Sequence, residues 1–307
     1  MEHKPVLLKE VLNFFDYLQD TSGVVADFTI GGGGHSYAIL RCFPKIKVVG
    51  FDKDDFAINI ANEKLKQFKN RVELFNMDFA NFNKVIDFKL NGAIVDLGIS
   101  SFHIDDLERG FSFESDSMLD MRMDRNNKLT AYKIINEYGE KELSDIFYKF
   151  GEIRNNKKVV SAIIKYRKSK KIFSCKELSE IIANNYFTRN RKVHPATKFF
   201  QALRIYINRE LDSLSEFLSK IFDYLKIGAR LQIISFHSLE DRIVKKKFKY
   251  EALSCVCPQD LMFCNCNKVA RIKILTKKPV IPGKDEILEN RRSRSAKLRV
   301  AEVINEV

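Results

Sequence analysis

The sequence predicts an α/β fold, a doubly wound sheet with a helical domain inserted after its fourth strand. Two observations carry this prediction. In residues 1–103, short apolar runs alternate with segments of helical spacing, which implies right-handed crossovers and a parallel sheet. In residues 104–195 we find no convincing strand, and amphipathic helical patterns follow one another instead. We therefore expect 1–103 and 196–307 to form one α/β domain that is interrupted by the insertion.

Four strands are predicted in the first part of the chain from short apolar runs, most of which carry an aspartate at or near their end. Two helices are predicted between them, because apolar residues recur there at helical spacing. In order, these elements are the strand Gly23–Phe28, the helix His35–Cys42, the strand Lys47–Asp52, the helix Phe56–Phe68 and the strands Val72–Phe75 and Gly92–Leu97. Parallel strands of this kind bring their carboxyl ends to one edge of the sheet, where such folds bind ligands.

The insertion is predicted to consist of amphipathic helices. A long helix from about Thr197 to Leu225 follows it, and the chain then returns to strand character. The predicted helices of the insertion are Thr130–Tyr138, Glu140–Phe150, Asn155–Ser169 and Cys175–Asn184, and the later strands are Gly228–Phe236, Val269–Leu275 and Ser295–Val303.

Composition excludes several classes of protein. With 45% hydrophobic residues among 307, the chain is too apolar for wholesale disorder. It has no run of about 18 apolar residues that could span a membrane, and the opening Met1–Val6 does not lead from a basic segment into a long apolar one. Six cysteines are too few for a disulfide scaffold. We therefore expect a cytoplasmic protein without a membrane partner.

Positive charge is concentrated in two segments of the chain. The net charge is +13, and residues 149–198 hold 14 Lys and Arg against 3 acids, while residues 241–299 hold 16 against 6. Blocks of this kind suit a polyanion, because each neutralised phosphate releases condensed counterions. A solvated, lysine-rich surface explains the same composition, so charge by itself does not decide between the two.

A glycine-rich turn follows the first predicted strand and opens a helix. The run from Gly31 to Gly34 lets the backbone turn sharply and approach a ligand. The G-x-G-x-x-G spacing of a nicotinamide dinucleotide site is missing in either register, since Ser36 or Tyr37 stands where the third glycine belongs. Asp27, just before the turn, is unfavourable beside a pyrophosphate and favourable beside a cation. S-adenosylmethionine carries a sulfonium and an ammonium group, so an acid at this position suits that ligand.

Further acids end the strands that follow. Asp52 stands 21 positions after Gly31, where a carboxylate accepts hydrogen bonds from a ribose diol. Asp78 and Phe79 come after the third strand, where the acid could bind the exocyclic amine of adenine and the ring could contact its face. Asp96 ends the fourth strand. A single aspartate at such a place is more often a helix cap, but four of them beside a glycine turn predict a ligand pocket.

Several longer strings of the sequence match a known family, in the family's order and over essentially the whole chain. They are His3–Leu8, Gly31–Ser36, Asp96–Ser101, Glu108–Phe113, Leu119–Asp124, His194–Thr197, Ser235–Arg242 and Arg294–Arg299. On these strings the chain resembles the bacterial MraW/RsmH family of ribosomal small-subunit RNA methyltransferases. The strings are long and differ from the general signatures of Rossmann folds, so the resemblance is specific.

The resemblance implies a class I methyltransferase of Rossmann-like fold that transfers a methyl group from S-adenosyl-L-methionine to N4 of a cytidine in the decoding region of 16S rRNA. The implied partners are 16S rRNA and the small ribosomal subunit, with no DNA. Carried over by position, the cofactor contacts are Gly33, Gly34, His35, Asp52, Phe79, Asp96 and His103. The family usually has glutamine at the last of these positions, and histidine differs from it in hydrogen-bonding geometry and charge.

Two residues are candidates for the catalytic role. The exocyclic amine of cytosine is a poor nucleophile, so an enzyme must orient it toward the methyl group and accept hydrogen bonds from its protons. Asp96 is one candidate, although Leu97–Ile99 replaces the Pro-Pro-aromatic clamp of many amino-methyltransferases. His237 follows the fifth predicted strand and is the other candidate. It could accept the released proton, contact RNA, or serve only as a structural residue at a turn.

Four of the six cysteines lie close together, at Cys255, Cys257, Cys264 and Cys266. Four thiolates can hold zinc, but the usual pairs have C-x2–4-C spacing and these have C-x-C. The resemblance implies no required metal, and we predict none in the active site. Zinc, a reduced surface loop and a redox-sensitive loop all remain open for this segment.

Two other functions remain beside an RNA methyltransferase. A non-enzymatic rRNA-binding or assembly factor could retain the fold, although it would have no need of the glycine turn and the strand-end acids. A methyltransferase for DNA or for a small molecule fits less well, because the basic segments argue against a small molecule and the missing Pro-Pro clamp against DNA.

Overall fold

Two compact units make up the chain in the computed structural model, which describes residues 5–99, 106–187, 194–258 and 263–306. Unit 1 comprises Met1–Gly98 and Leu211–Val307, and unit 2 comprises Ile99–Glu210. The sequence pattern predicts that the insertion ends at residue 195. Unit 2 extends further because the helix Thr197–Asn208 packs its apolar side chains into the core of that unit.

The described chain alternates strands and helices at first, continues through helices only, and then returns to strands. In chain order the elements are α1 Leu8–Asn13, β1 Gly23–Asp27, α2 Gly34–Cys42, β2 Ile46–Asp52, α3 Asp55–Leu65, β3 Val72–Asn76, β4 Leu90–Asp96, α4 Ala131–Glu137, α5 Glu140–Gly151, α6 Lys157–Ser169, α7 Cys175–Asn185, α8 Thr197–Asn208, α9 Glu210–Lys220, β5 Leu225–Ser235, α10 Ser238–Glu251, β6 Ile272–Ile274, α11 Lys284–Glu289 and β7 Lys297–Val303. Short 3-10 helices occupy Asp16–Leu18, Lys66–Arg71, Phe79–Lys84, Leu107–Arg109, Ile221–Tyr224 and Arg291–Ser295.

The sheet of unit 1 has seven strands in the order β3-β2-β1-β4-β5-β7-β6. Strands β1 to β5 pair in parallel, as predicted. Strand β7 pairs antiparallel with both β5 and β6, a direction that the sequence pattern did not predict for the last two strands. A parallel neighbour needs a crossover over the sheet face, and between β6 and β7 the chain forms only the short helix α11 and a 3-10 turn.

Apolar side chains cover both faces of this sheet. Val48 packs in one hydrophobic cluster with residues of α1, α2 and α3, while its neighbour Val49 packs in another with residues of α9 and α10. Successive side chains of a strand point to opposite faces, so the helices lie on both sides of the sheet. This is the doubly wound α/β architecture that the sequence predicted.

Unit 2 is helical, and its helices surround a separate hydrophobic cluster. Helices α4 to α7 begin and end within two residues of their predicted bounds. Within residues 106–187 the only extended pairing is the isolated bridge between Met118 and Ser174. Across the part of the chain that the structure describes, no helix is long and apolar enough to cross a membrane.

The predicted long helix from Thr197 to Leu225 is wrong, because the chain breaks at Arg209. This residue adopts a left-handed conformation with φ of 51° between α8 and α9. Around the break, the Arg204 guanidinium donates to both carboxylate oxygens of Glu210 at 2.9 Å. The Asn208 side chain bonds to two distant backbone groups. Hydrophobic spacing alone would continue the helix, and these polar contacts end it.

Candidate active site

Three of the predicted acids lie at the carboxyl edge of the sheet of unit 1. Asp27 is the last residue of β1 and pairs in register with Gly50 of β2 and Ile94 of β4. Asp52 and Asp96 therefore stand two positions further along the neighbouring strands. Because side chains alternate with a period of two, all three carboxylates belong to the same face.

The glycine turn between β1 and α2 has two residues in the left-handed region, Gly31 with φ of 48° and Gly33 with φ of 73°. A Cβ on Gly33 would lie 3.3 Å from Leu65, and one on Gly34 would lie 2.6 Å from Pro5, so protein atoms pack tightly against both. A Cβ on Gly31 would meet no atom nearer than 3.9 Å. The open side of the turn, where a ligand can approach the backbone, is therefore at Gly31.

Asp52 is held in place by two backbone amides. Its Oδ2 accepts a hydrogen bond from the Gly31 N–H at 3.0 Å, and its Oδ1 accepts one from the Asp54 N–H at 2.9 Å. These contacts join the end of β2 to the glycine turn and fix the orientation of the carboxylate. A carboxylate held in this way beside a glycine turn can accept hydrogen bonds from the hydroxyl groups of a ribose.

Asp27 is a buried carboxyl group, with 2% of its surface exposed. Its oxygens accept hydrogen bonds from the Ser36 hydroxyl at 2.7 Å and the Thr29 N–H at 3.2 Å. Burial raises the pKa of Asp27 to about 6, and the nearby charge of Asp52 adds to this, while the two hydrogen bonds oppose it. Burial thus disfavours the ionised form of Asp27, and the two hydrogen bonds offset only part of that cost.

Asp96 has an unsatisfied oxygen. Its Oδ1 is enclosed and has no hydrogen-bond partner among the described residues, although 23% of the whole side chain is exposed. Burial raises the pKa of Asp96 well above its ordinary value, and the charges of Asp27 and Glu240 raise it further. Buried polar atoms are nearly always paired in native proteins, so this oxygen marks a place where a ligand can donate a hydrogen bond.

His35 connects this edge of the sheet to the N-terminal segment. Its Nε2 lies 2.9 Å from the carbonyl oxygen of Val6, and its Nδ1 lies 3.8 Å from Oδ2 of Asp96. The ring is buried, with 6% exposure. His35 thus contacts the acid cluster from within the protein and also has a structural role at the start of α2.

His237 caps the helix α10. Its Nδ1 accepts from the Glu240 N–H at 3.4 Å, and its Nε2 lies 3.1 Å from Oε1 of Glu240, outside hydrogen-bond geometry. Oε2 of Glu240 accepts from the N–H groups of Phe236 at 2.9 Å and His237 at 3.2 Å, which completes a capping box. Both ring nitrogens of His237 therefore face one glutamate of its own helix.

Glu240 is a functional candidate that the sequence motifs did not single out. It is almost fully buried, with 1% exposure, and its charge is one cause of the raised pKa of Asp96. The signal was present in the sequence, because a polar residue followed three positions later by glutamate is the pattern of a capped helix start.

Asp78 and Phe79 lie at the start of the 3-10 helix that follows β3. The Asp78 carboxylate accepts from the Ala80 N–H and from the Ser213 hydroxyl, each at 2.9 Å, so it has a structural role there. The half-buried Phe79 ring contacts Phe217 edge-on, with centroids 5.4 Å apart. The ring is thereby fixed at the same edge of the sheet, whereas the other predicted contact, His103, lies outside the described residues.

The arrangement as a whole favours positive charge. Buried carboxyl groups whose pKa is raised by burial and by one another ionise more readily when a cation lies beside them. A sulfonium and an ammonium group are cations of this kind, and Asp52 suits a ribose. The residues present therefore fit S-adenosylmethionine, by their donor and acceptor chemistry.

A doubly wound sheet with a glycine turn and acids at its carboxyl edge is typical of class I methyltransferases of Rossmann-like fold. A family model described as the MraW methylase family matches residues 1–304. The chain belongs to this family, as its sequence motifs predicted. It is a methyltransferase, and S-adenosyl-L-methionine is its methyl donor.

Curated relatives from three bacteria match nearly the whole chain, and each is named ribosomal RNA small subunit methyltransferase H. The relative from Caldicellulosiruptor saccharolyticus is 46% identical over 312 residues, which cover 99% of each protein. The one from Nitratiruptor sp. is 46% identical over 97% of each protein. The one from Helicobacter pylori is 47% identical over 97% of this chain and 96% of the relative.

Proposed function

We propose that the protein transfers a methyl group from S-adenosyl-L-methionine to N4 of a cytidine in the decoding region of 16S rRNA. The observation that carries the substrate class is the name shared by relatives that match 97–99% of the chain, ribosomal RNA small subunit methyltransferase H. The choice of cytidine N4 rests on the resemblance of the sequence motifs. A cytoplasmic location stays a prediction of the sequence.

In this proposal the donor binds along the glycine turn and the acids of unit 1. Asp52 accepts hydrogen bonds from the ribose hydroxyls, and Phe79 lies beside the adenine. The amides at the start of α2, from Gly34 and His35, suit the carboxylate of the methionine part, because a helix N-terminus favours negative charge. Asp27 and Asp96 favour the positive groups. When bound, the donor supplies an electrophilic methyl group on a sulfonium.

Asp96 is the proposed catalytic residue. The lone pair of the cytosine amine is delocalised into the ring, so the amine must be held in line with the methyl group. Oδ1 of Asp96 accepts a hydrogen bond from this amine and orients it. As the methyl group passes from sulfur to nitrogen, an S–C bond would break and leave the neutral thioether S-adenosylhomocysteine, while the amine nitrogen would become positively charged and lose a proton. The raised pKa of Asp96 suits it to receive that proton.

His237 has a different role in the proposal. Its Nδ1 accepts from the Glu240 N–H, so the imidazole caps the start of α10. We propose that His237 and Glu240 position Asp96: the capped helix start holds Glu240, whose charge raises the pKa of Asp96. His237 then need not act as a base.

Exposed lysines of unit 2 are proposed to hold RNA phosphates. Lys157, Lys158 and Lys165 of α6 line an open surface groove, together with Glu140 of α5. Arg167 is excluded from this role, because its guanidinium donates to the carbonyl oxygens of Ile135 and Tyr138. Phosphate contacts of this kind give affinity without reading the sequence.

Mass mapping of modified nucleosides in small-subunit rRNA tests the proposal. We expect rRNA from cells without the protein to lack N4-methylation at one cytidine, and the purified protein with labelled donor to restore it. A methyl group at another atom or nucleotide would contradict the cytidine N4 assignment. Unmethylated rRNA with the wild-type protein present, together with a defect in subunit assembly when it is absent, would favour the non-enzymatic assembly factor instead.

A further inference from the structure

Four cysteine thiols converge in the loop between α10 and β6, a region of unit 1 that the proposed reaction does not use. The Sγ atoms of Cys255, Cys257, Cys264 and Cys266 all lie within 4.8 Å of one another. Residues 259–262, between the two pairs, lie outside the described part of the chain. From the C-x-C spacing alone, zinc binding, a reduced surface loop and a redox-sensitive loop all remained open. The positions of the sulfur atoms favour metal binding among these alternatives.

The distances between the sulfur atoms match a tetrahedral metal site. Sγ of Cys264 lies 3.5 Å from those of Cys255 and Cys266 and 3.9 Å from that of Cys257, and Sγ of Cys266 lies 3.9 Å from that of Cys255. Four sulfurs about 2.3 Å from one zinc ion at tetrahedral angles would be ~3.8 Å apart. A disulfide would bring two of them to about 2.0 Å, and all four thiols are free.

Backbone amides are directed at these sulfur atoms. The Val256 N–H donates to Sγ of Cys266 at 3.4 Å, and the Cys257 N–H donates to Sγ of Cys255 at 3.4 Å. Hydrogen bonds to sulfur stabilise the thiolate, the form that binds a metal. Val256 is the single residue between the first two cysteines, so the short C-x-C spacing lets its amide reach a sulfur of the other pair.

The described residues of the loop between α10 and β6 form no hydrophobic core of their own. None of the described residues from Ala252 to Ala270 is buried. Its base is fixed, because the Arg271 N–H donates to the Glu251 carbonyl oxygen at 2.8 Å and Lys268 lies 3.7 Å from the Glu251 carboxylate. A segment with a fixed base whose described residues are all outside the core needs another cross-link to hold one conformation.

We propose that Cys255, Cys257, Cys264 and Cys266 bind one Zn²⁺ ion as a structural site with four thiolate ligands. Binding deprotonates the thiols and closes the loop between α10 and β6. Four protein ligands fill the tetrahedral shell of zinc, so the ion has no open position for a substrate and takes no part in methyl transfer.

Metal analysis of the full-length protein, purified in reductant without added metal, tests the site. Inductively coupled plasma mass spectrometry should find about one zinc per chain. Cys255→Ser and Cys264→Ser should each lose the zinc, whereas Cys42→Ser, at an exposed cysteine at the end of α2, should retain it. Iron in place of zinc, no metal in the wild-type protein, or equal zinc in all variants would overturn the proposal.

Thiol alkylation of the wild-type protein provides a second test that needs no variant of the loop. In the zinc-loaded protein, Cys42 should react while the four loop cysteines are protected. After treatment with a strong chelator under reducing conditions, those four should react as well, and added zinc should restore their protection. Equal reactivity before and after the chelator, or disulfide-linked peptides from the loop of the untreated protein, would contradict the site.

Discussion

Buried polar side chains are in opposite situations in the two units. In unit 1, burial raises the pKa of Asp27 and Asp96, and Oδ1 of Asp96 has no described partner. In unit 2, Asn156 is as buried as Asp27, with 2% exposure, and all its side-chain polar groups are paired: its Oδ1 accepts from the Ser144 hydroxyl and its Nδ2 donates to the carbonyl oxygens of Ser144 and Ile153.

The buried acids of unit 1, one of which has an oxygen without a described partner, are typical of a binding site, whereas the fully hydrogen-bonded asparagine of unit 2 is typical of a structural residue. The satisfied asparagine joins Ser144, within α5, and Ile153, between the two helices, to the start of α6, and it has no unpaired side-chain group for a ligand. The acids of unit 1 destabilise the ligand-free protein at neutral pH, and a cationic ligand relieves the imbalance. Substitution of buried polar groups should therefore have opposite effects on stability in the two units, and only one of the two units should show a large effect on the reaction itself.

The largest effect is expected for Asp96→Asn. Methyl transfer at saturating donor should fall by about 10²–10⁴-fold, because an amide cannot take up the proton that the amine loses. Initial rates with labelled donor and small-subunit rRNA measure this. Asp87→Asn, at an exposed aspartate of the same unit, should retain the wild-type rate. If Asp96→Asn stayed within a few-fold of wild type, Asp96 would not be the catalytic group.

Much of this site could be predicted from the sequence, because strand patterns place Asp27, Asp52 and Asp96 at one edge whatever the details of packing. Gly33 and Gly34 lie in the turn between β1 and α2, as the glycine run indicated, and their role as cofactor contacts stays a prediction. Their packing against Leu65 and Pro5 depends on tertiary contacts. Local patterns hold no information of that kind.

Local sequence patterns did not predict features that depend on contacts between residues far apart in the chain. The break at Arg209 depends on polar contacts that override apolar spacing. The antiparallel direction of β7 follows from how the chain returns to the sheet. The partnership of His237 with Glu240 could have been found from the capping pattern, and the convergence of the cysteines could not, because C-x-C spacing alone does not place two pairs together.

Asn156→Ala should destabilise the helical unit. It leaves the Ser144 and Ile153 carbonyl groups without their donor, which should lower the free energy of unfolding by about 2–4 kcal/mol. Urea denaturation followed by circular dichroism measures this. Asn155→Ala changes the exposed neighbour and should stay within about 0.5 kcal/mol of wild type. Equal stability of the two variants would mean that the buried asparagine is not part of the scaffold.

Asp27→Asn should increase the free energy of unfolding at neutral pH, whereas Asn156→Ala should lower it. The pKa of Asp27 is raised to about 6 in the folded protein, so the folded state binds more protons than the unfolded state between about pH 4 and 6, and stability is lost as pH rises through this window. At pH 7 the loss is at most about 3 kcal/mol, and the variant should recover about 1–3 kcal/mol of it.

Thermal unfolding of wild type and Asp27→Asn from pH 4 to pH 8, without donor, measures this difference. The two melting temperatures should approach each other at the acid end, where the wild-type carboxyl group is protonated in the folded state and about half protonated in the unfolded state. Asp20→Asn, at an exposed aspartate of unit 1, should follow the wild-type profile. A variant less stable than wild type at pH 7 would mean that the hydrogen bonds from Ser36 and Thr29 outweigh the cost of burial.

The smallest effect is expected for substitution of the exposed lysines of unit 2, and it concerns RNA binding. Replacing Lys157, Lys158 and Lys165 with alanine should weaken RNA binding by about 10-fold and reduce the slope of log affinity against log salt, because each lost phosphate contact removes about 0.7–0.9 from that slope. Donor affinity and stability should stay near wild type, since these lysines line an open groove. Filter binding across a salt series measures the slope.

The matched control replaces three exposed lysines outside the two basic segments with alanine, and it should leave the slope unchanged. These are Lys45, Lys47 and Lys69. The same slope in both triple variants would remove this face of the helical unit from the RNA interface, and its lysines would then serve only as a solvated surface.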